Sequence, residues 1–73
     1  MAVIEVRTEI SGNVWKIEAS PGDRLEEDDP IMILESMKME IPLAAPEDGT
    51  IVEILVTEGA AISEDDIVAR LEV

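Results

Sequence analysis

The chain is a short acidic polypeptide of 73 residues, with 18 acidic and 5 basic side chains and a formal net charge of −13. Phosphate backbones and anionic lipid surfaces repel such a charge, so we expect neither nucleic-acid nor membrane binding. Cysteine and histidine are absent, which excludes disulfides and the usual zinc ligands. The length predicts one domain, residues 1–73, with an aliphatic core that includes the single aromatic residue, Trp15.

The N-terminal segment MAVIEVRTEI lacks the pattern of a signal peptide. No apolar run approaches the roughly 18 residues of a membrane span. We therefore expect a cytoplasmic protein that is monomeric on its own.

The apolar residues follow the two-residue period of β-strands, and no segment sustains helical spacing before a Gly or Pro interrupts it. In the segment VWKIEA, Lys16 and Glu18 alternate with three residues predicted to face the core, namely Trp15, Ile17 and Ala19. Gly, Pro and Asp lie where the short strands join. This pattern predicts a small all-β sandwich or barrel.

The sequence repeats itself with an offset of 37 residues, which places Gly12 on Gly49. The same offset superposes the turns SPGD and TEGA, the two EDD triplets and the two Leu-Glu pairs. Residues 2–36 and 39–73 are therefore two copies of one pattern. We expect a pseudo-two-fold sandwich of two interlocked halves, each with about four short strands.

Met37 and Lys38 form the two-residue link between the copies. The equivalent link in the other half would join Val73 to Ala2, where the chain is open, so we expect the link and the termini at opposite ends of the molecule. A two-residue hairpin turn usually requires positive φ angles, which favour Asn-Gly over Met-Lys. Keeping Met-Lys in such a turn costs on the order of 1–3 kcal/mol. We interpret the link as a functional site that presents one lysine at a hairpin tip.

The stretch LESMKMEIPLAAPEDGTI resembles the attachment site of biotin carboxyl carrier domains, whose hallmark is (A/S)-M-K-M. The turn SPGD and the segment GTIVEI also lie where that family places its turns. The resemblance extends over nearly the whole chain, so the sequence is similar to free-standing biotin/lipoyl attachment proteins.

The resemblance implies a flattened barrel-sandwich hybrid of two four-stranded antiparallel sheets. It implies that a biotin protein ligase attaches biotin to Lys38, which becomes a swinging arm. The arm then shuttles carboxybiotin between a biotin carboxylase and a carboxyltransferase, as in the acyl-CoA carboxylases. Met37 and Met39 would form the recognition context, with Glu35 and Ser36 on the strand leading to the tip. The chain itself would be a non-catalytic carrier subunit with no catalytic residue.

Two features depart from the family pattern. The small protruding loop of some bacterial fatty-acid-synthesis carriers is missing, because no insertion interrupts the second copy, and this makes that pathway's acetyl-CoA carboxylase a less secure assignment. Asp28 and Asp65 replace glycines that the family often has in turns, and Asp tolerates left-handed conformations better than most residues. Methionine is a common filler of irregular gaps, so we expect one of the two flanking methionines to pack on the sandwich. The acidic clusters lack the spacing of a calcium loop, so no metal site is expected.

Two other functions remain as alternatives. A lipoyl carrier would use the same fold, but such domains usually present D-K-A rather than M-K-M, so lipoate is the weaker choice of cofactor. An unmodified barrel-sandwich adaptor belongs to a different functional class, and nothing in the sequence favours it. The modification state of the lysine discriminates among the three.

Overall fold

The computed structural model describes residues 2–73 and consists of eight β-strands joined by short turns. No helix long and apolar enough to cross a membrane occurs within this part of the chain. The strands are β1 (Val3–Arg7), β2 (Gly12–Ile17), β3 (Arg24–Leu25), β4 (Pro30–Ser36), β5 (Met39–Ala44), β6 (Gly49–Ile54), β7 (Ala61–Ile62) and β8 (Ile67–Glu72).

The strands form two four-stranded antiparallel sheets, which confirms the predicted all-β sandwich of two sheets. Sheet A has the order β1-β8-β6-β3, and sheet B has the order β5-β4-β2-β7. Each sheet contains strands from both copies of the repeat, so neither half is a separate layer. The two halves are interlocked, as the duplication predicted.

The 37-residue repeat is visible in the backbone as well as in the strand bounds. The ladder between β2 and β4 shifts register between Val14 and Lys16, and the ladder between β6 and β8 shifts between Ile51 and Glu53. These two β-bulges lie at equivalent positions of the two copies. A bulge adds one unpaired residue and strengthens the local twist, which helps a small sandwich to close.

The left-handed residues outside the Met37-Lys38 link are also duplicated. Asp28 and Asp65 have φ angles of 74° and 71°, and Gly22 and Gly59 have φ angles of 95° and 88°. The backbone therefore keeps the left-handed geometry where Asp replaces the glycine expected from the family. This confirms that Asp accommodates these turns.

The core between the sheets is aliphatic and nearly inaccessible to solvent. Its buried residues come from both copies: Val6, Val14, Ala19, Ile31, Met32, Leu34, Ala45, Ile51, Ile62, Val68, Ala69 and Leu71. Thr8 is the buried polar residue, and its hydroxyl donates to the Ile10 carbonyl over 2.9 Å, which satisfies the group locally.

The prediction that Trp15 belongs to the core is wrong, because 49% of this residue is exposed. Trp15 is the extra residue of the β2 bulge, so Trp15 and Lys16 together oppose Ile33 on the outer surface of sheet B. The same bulge overturns the expectation that Lys16 and Trp15 face opposite sides. Val14 fills the core position instead and is fully buried.

Candidate functional site

The link between the two copies forms a tight hairpin turn. β4 ends at Ser36, β5 begins at Met39, and these two residues are paired across the hairpin. Met37 and Lys38 have φ angles of 52° and 65°. Two consecutive positive φ angles are the mark of a type I′ turn, so the predicted strained turn is confirmed.

The turn lies at the end of sheet B where β4 and β5 are joined. The chain termini lie at the end of sheet A where β1 begins and β8 ends. The Ala2 N–H donates to the Val73 carbonyl over 3.3 Å, and the Val73 N–H donates to the Ala2 carbonyl over 2.8 Å. β1 runs away from this terminal pair and leads to Gly12, which lies beside the strand approaching the tip. The open chain end is thus the structural counterpart of the Ser36–Met39 pair.

Gly12 explains how β2 can approach the hairpin closely. A Cβ atom at this position would lie 2.2 Å from the backbone oxygen of Glu35 and 3.3 Å from the Cα atom of Ser36. The first contact is closer than real Cβ atoms tolerate, and the second is tighter than most of them make. The absence of a side chain at Gly12 lets β2 brace the last residues of β4 directly beneath the turn.

The side chains of the turn project into solvent. Lys38 is exposed, Met37 is 92% exposed and Met39 is 64% exposed. The expectation that one of the two methionines packs on the sandwich is therefore wrong. Met39 has the same strand parity as Ile41, which pairs with the buried Leu34, yet Met39 remains largely exposed.

The charges near the turn are acidic. Glu35 and Glu40 are directly opposite each other on neighbouring strands, where like charges destabilise a sheet. The two ion pairs found among residues 2–73, Arg7–Glu5 and Arg70–Glu53, lie elsewhere and involve neither residue. Lys38 itself forms no ion pair within the described chain, so its amine is accessible to another molecule.

The predicted site residues are thus grouped in space around one turn, with Glu35 exposed and Ser36 half-buried on the strand that leads to it. Sequence reasoning missed the roles of Gly12 and of the β2 bulge. The adjacent apolar pairs Val14-Trp15 and Ile51-Val52, at equivalent places in both copies, break the strand alternation and were the available signal for the bulges.

Comparisons with known proteins agree with this geometry. A family model described as "Biotin-requiring enzyme" matches residues 3–71. The biotin/lipoyl attachment protein of Bacillus subtilis (strain 168) is 39% identical over 66 residues, which is 90% of this chain and 90% of that protein. Urea amidolyase of Saccharomyces cerevisiae is 40% identical over 67 residues, which is 92% of this chain but 4% of that enzyme.

Among solved structures, the urea carboxylase of Kluyveromyces lactis superposes with a TM-score of 0.91 and 31% sequence identity. The match covers 97% of this chain and 6% of that one. The chain therefore corresponds to nearly all of a small attachment protein and to a small part of the large enzymes.

Proposed function

From the premise that the chain belongs to the biotin/lipoyl attachment family and is a biotin carboxyl carrier domain, we propose that Lys38 is the residue that carries biotin covalently. The observation that supports this site most directly is the isolated lysine at an exposed type I′ turn. Any enzyme that modifies the lysine must surround its amine, and nothing in residues 2–73 shields the turn. The residues present therefore fit the group.

The attachment step forms an amide bond between the Lys38 Nζ atom and the carboxyl carbon of biotin. A biotin protein ligase activates that carboxyl with the AMP part of ATP and releases pyrophosphate. The amine then displaces AMP, which leaves with the electrons of the broken C–O bond, and the amine loses a proton. The chain contributes a positioned nucleophile and no acid or base of its own. In this proposal the single domain, residues 1–73, is a non-catalytic carrier. The structure describes all of this domain except residue 1.

The bound biotin supplies a ureido nitrogen that can hold a carboxyl group for transfer. The tether raises the local concentration of that nitrogen at two active sites, a biotin carboxylase and a carboxyltransferase. The rigid turn fixes where the arm begins, while the exposed side chain lets it swing. The names of the larger relatives, urea amidolyase and urea carboxylase, support a carboxylase as the partner system.

Met37 and Met39 form the recognition context in this proposal, and Glu35 and Ser36 extend it along β4. Both methionines are exposed beside the lysine, so a partner can cover them when it binds. Removing exposed apolar area from water favours association by about 25 cal/mol per Å². The proposal thus assigns a binding function to two solvent-exposed methionines that do not pack within the domain.

The proposal is tested by incubating the purified protein with biotin, ATP and a bacterial biotin protein ligase, and then measuring its intact mass. We expect a single biotinyl adduct located at Lys38 by peptide mapping. Lys38→Arg should abolish the adduct and leave the circular dichroism spectrum unchanged, while the control Lys16→Arg should be labelled like the wild type. An unmodified wild-type mass, or labelling at Lys16, would contradict the assignment, and a lipoyl adduct in protein from the native host would identify the alternative carrier.

A further inference from the structure

The outer surfaces of the two sheets differ sharply, although their backbones are equivalent. Across sheet A, the central row of paired residues is charged and consists of Glu5, Arg70 and Glu53, with an ion pair between the last two. The equivalent row across sheet B is largely apolar and consists of Pro42, Ile33 and Lys16. The half-exposed Trp15 lies beside this second row. We call Trp15, Lys16, Ile33 and Pro42 the Trp15 face.

The backbone that presents Trp15 is held on both sides of the bulge. The Ile17 N–H donates to the Glu58 carboxylate over 2.9 Å. The Gly59 N–H donates to the Val14 carbonyl over 2.7 Å. In the other copy, Pro21 occupies the position of Glu58 and has no carboxylate to offer. The extra hydrogen bond fixes the backbone beside the bulge that presents Trp15, which reduces the backbone entropy lost on binding.

The Trp15 face is continuous with the turn that bears Lys38. Ile33 is three residues before Ser36 on β4, a distance of roughly 10 Å along the strand. Glu35 and Glu40, opposed without a cation among the described residues, lie between the face and the turn. A partner that covers the Trp15 face would therefore contact an apolar patch on the face and, closer to Lys38, an acidic pair.

We propose that the Trp15 face is the docking surface for the biotin protein ligase that modifies Lys38, an inference that rests on the proposed function. The ligase acts on the bare lysine side chain, which spans about five bonds and reaches only roughly 6 Å. The enzymes that use the finished arm meet biotin after about eleven bonds, roughly 14 Å from the backbone. Only the ligase must bring its own surface against the end of the domain.

The chemistry of the face specifies the complementary surface. An exposed tryptophan is a frequent anchor of protein interfaces and usually inserts into an apolar pocket. The acidic pair Glu35 and Glu40 calls for basic side chains beside that pocket, which would relieve the repulsion between the two carboxylates. The ligase surface is thus an apolar pocket for Trp15 with basic residues on the side toward its active site.

The test is the steady-state kinetics of biotinylation by a purified bacterial biotin protein ligase. Trp15→Ala should raise KM for the apo protein about tenfold or more with little change in kcat, because an anchor contributes to binding rather than to the chemistry. Trp15→Phe should recover much of the loss. The matched control is Val52→Ala, which truncates the equivalent and similarly exposed bulge residue of sheet A and should leave KM unchanged.

A second measurement does not depend on catalysis or on the fold of the alanine variant. Trp15 is the single tryptophan, so 5-fluorotryptophan incorporated into Lys38→Arg protein reports on this residue alone. Its fluorine resonance should shift or broaden when ligase is added.

The outcomes separate the two proposals. Wild-type protein labelled at Lys38, together with an unchanged KM for Trp15→Ala or an unperturbed fluorine signal, would overturn the docking surface and leave the proposed function intact. A wild-type protein that is not labelled at all would overturn both. A dimer mass by sedimentation equilibrium that Trp15→Ala reduces to a monomer mass, with ligase kinetics unaffected by this mutation, would also overturn the docking proposal.

Discussion

The Met37-Lys38 turn and the open chain end are the same place in two copies of one structure, and they differ in a single respect. At the turn, Ser36 and Met39 are paired, and the chain connects them through Met37 and Lys38. At the chain end, Val73 and Ala2 are hydrogen-bonded to each other without any link. The same backbone pairing is therefore present at both places, and Met37 and Lys38 are the residues added at the turn.

The two copies differ mainly on the surface and hardly in the backbone. Bulges, left-handed turn residues and glycine contacts recur at the same offset, because closing a small sandwich requires them in each half. The side chains on the outer rows have no such constraint. They are largely apolar on the sheet that bears Lys38 and charged on the other, so the two copies differ at their outer surfaces.

The largest effect that compares the two halves is expected from alanine at the equivalent glycines. A Cβ at Gly12 would lie 2.2 Å from the Glu35 carbonyl oxygen, and one at Gly49 would lie 2.6 Å from the Glu72 oxygen. Each strand must move, so Gly12→Ala and Gly49→Ala should each lower the free energy of unfolding by about 1–3 kcal/mol. Urea denaturation measures this, with the exposed neighbour Ser11→Ala as the control.

The shorter contact predicts the larger loss for Gly12→Ala. This variant should also disturb the base of the hairpin and slow the labelling of Lys38, whereas Gly49→Ala acts at the other end. Labelling slowed to the same extent in both variants, at a temperature where both are folded, would show that the two ends are not independent. Labelling of Gly12→Ala at the wild-type rate would show that Gly12 does not support the hairpin.

A medium effect is expected from replacing the functional turn by a sequence chosen for folding. The double variant Met37→Asn with Lys38→Gly places residues that favour positive φ where the turn has angles of 52° and 65°. Relief of strain should raise the free energy of unfolding by about 1 kcal/mol, while labelling by the ligase disappears. Thermal and urea unfolding measure the gain. A large loss of stability would mean that the Met-Lys pair is structural.

Much of the fold was predictable because turn formers and apolar periods recur in both copies of the sequence. The offset of 37 residues, the strained link at Met37-Lys38 and the tolerance of Asp28 for a left-handed conformation all follow from local backbone preferences. The exposure of Trp15 did not follow, because a bulge changes which side a residue faces and depends on pairing between strands distant in sequence.

The Lys38 site was predictable for the same local reasons. The prediction missed those features of the site that depend on contacts between strands. Met39 was expected to be a candidate for packing because methionine fills gaps, but it begins β5 next to the turn and is exposed to solvent. The close approach of Gly12 to β4 joins residues far apart in sequence. The contrast between the two outer faces likewise required the register of four strand pairs.

The smallest effect concerns the charged row of sheet A, whose counterpart on the Trp15 face is largely apolar. Glu53 and Arg70 form an ion pair whose side chains are 45% and 37% exposed, so solvent screens much of the attraction. Glu53→Gln should lower the free energy of unfolding by about 0.5 kcal/mol at low salt. The loss should vanish in 1 M NaCl, where the Debye length is about 3 Å.

Removing one negative charge from so acidic a chain also reduces its general self-repulsion, which acts in the opposite direction. Glu47→Gln is the matched control, because Glu47 is an exposed carboxylate that takes part in neither ion pair of the described residues. It should be neutral or slightly stabilising at low salt. If the stabilities of both variants respond alike to salt, the Glu53–Arg70 pair contributes nothing specific to stability. The charged row would then serve only to keep the outer face of sheet A soluble, while the Trp15 face remains available for binding.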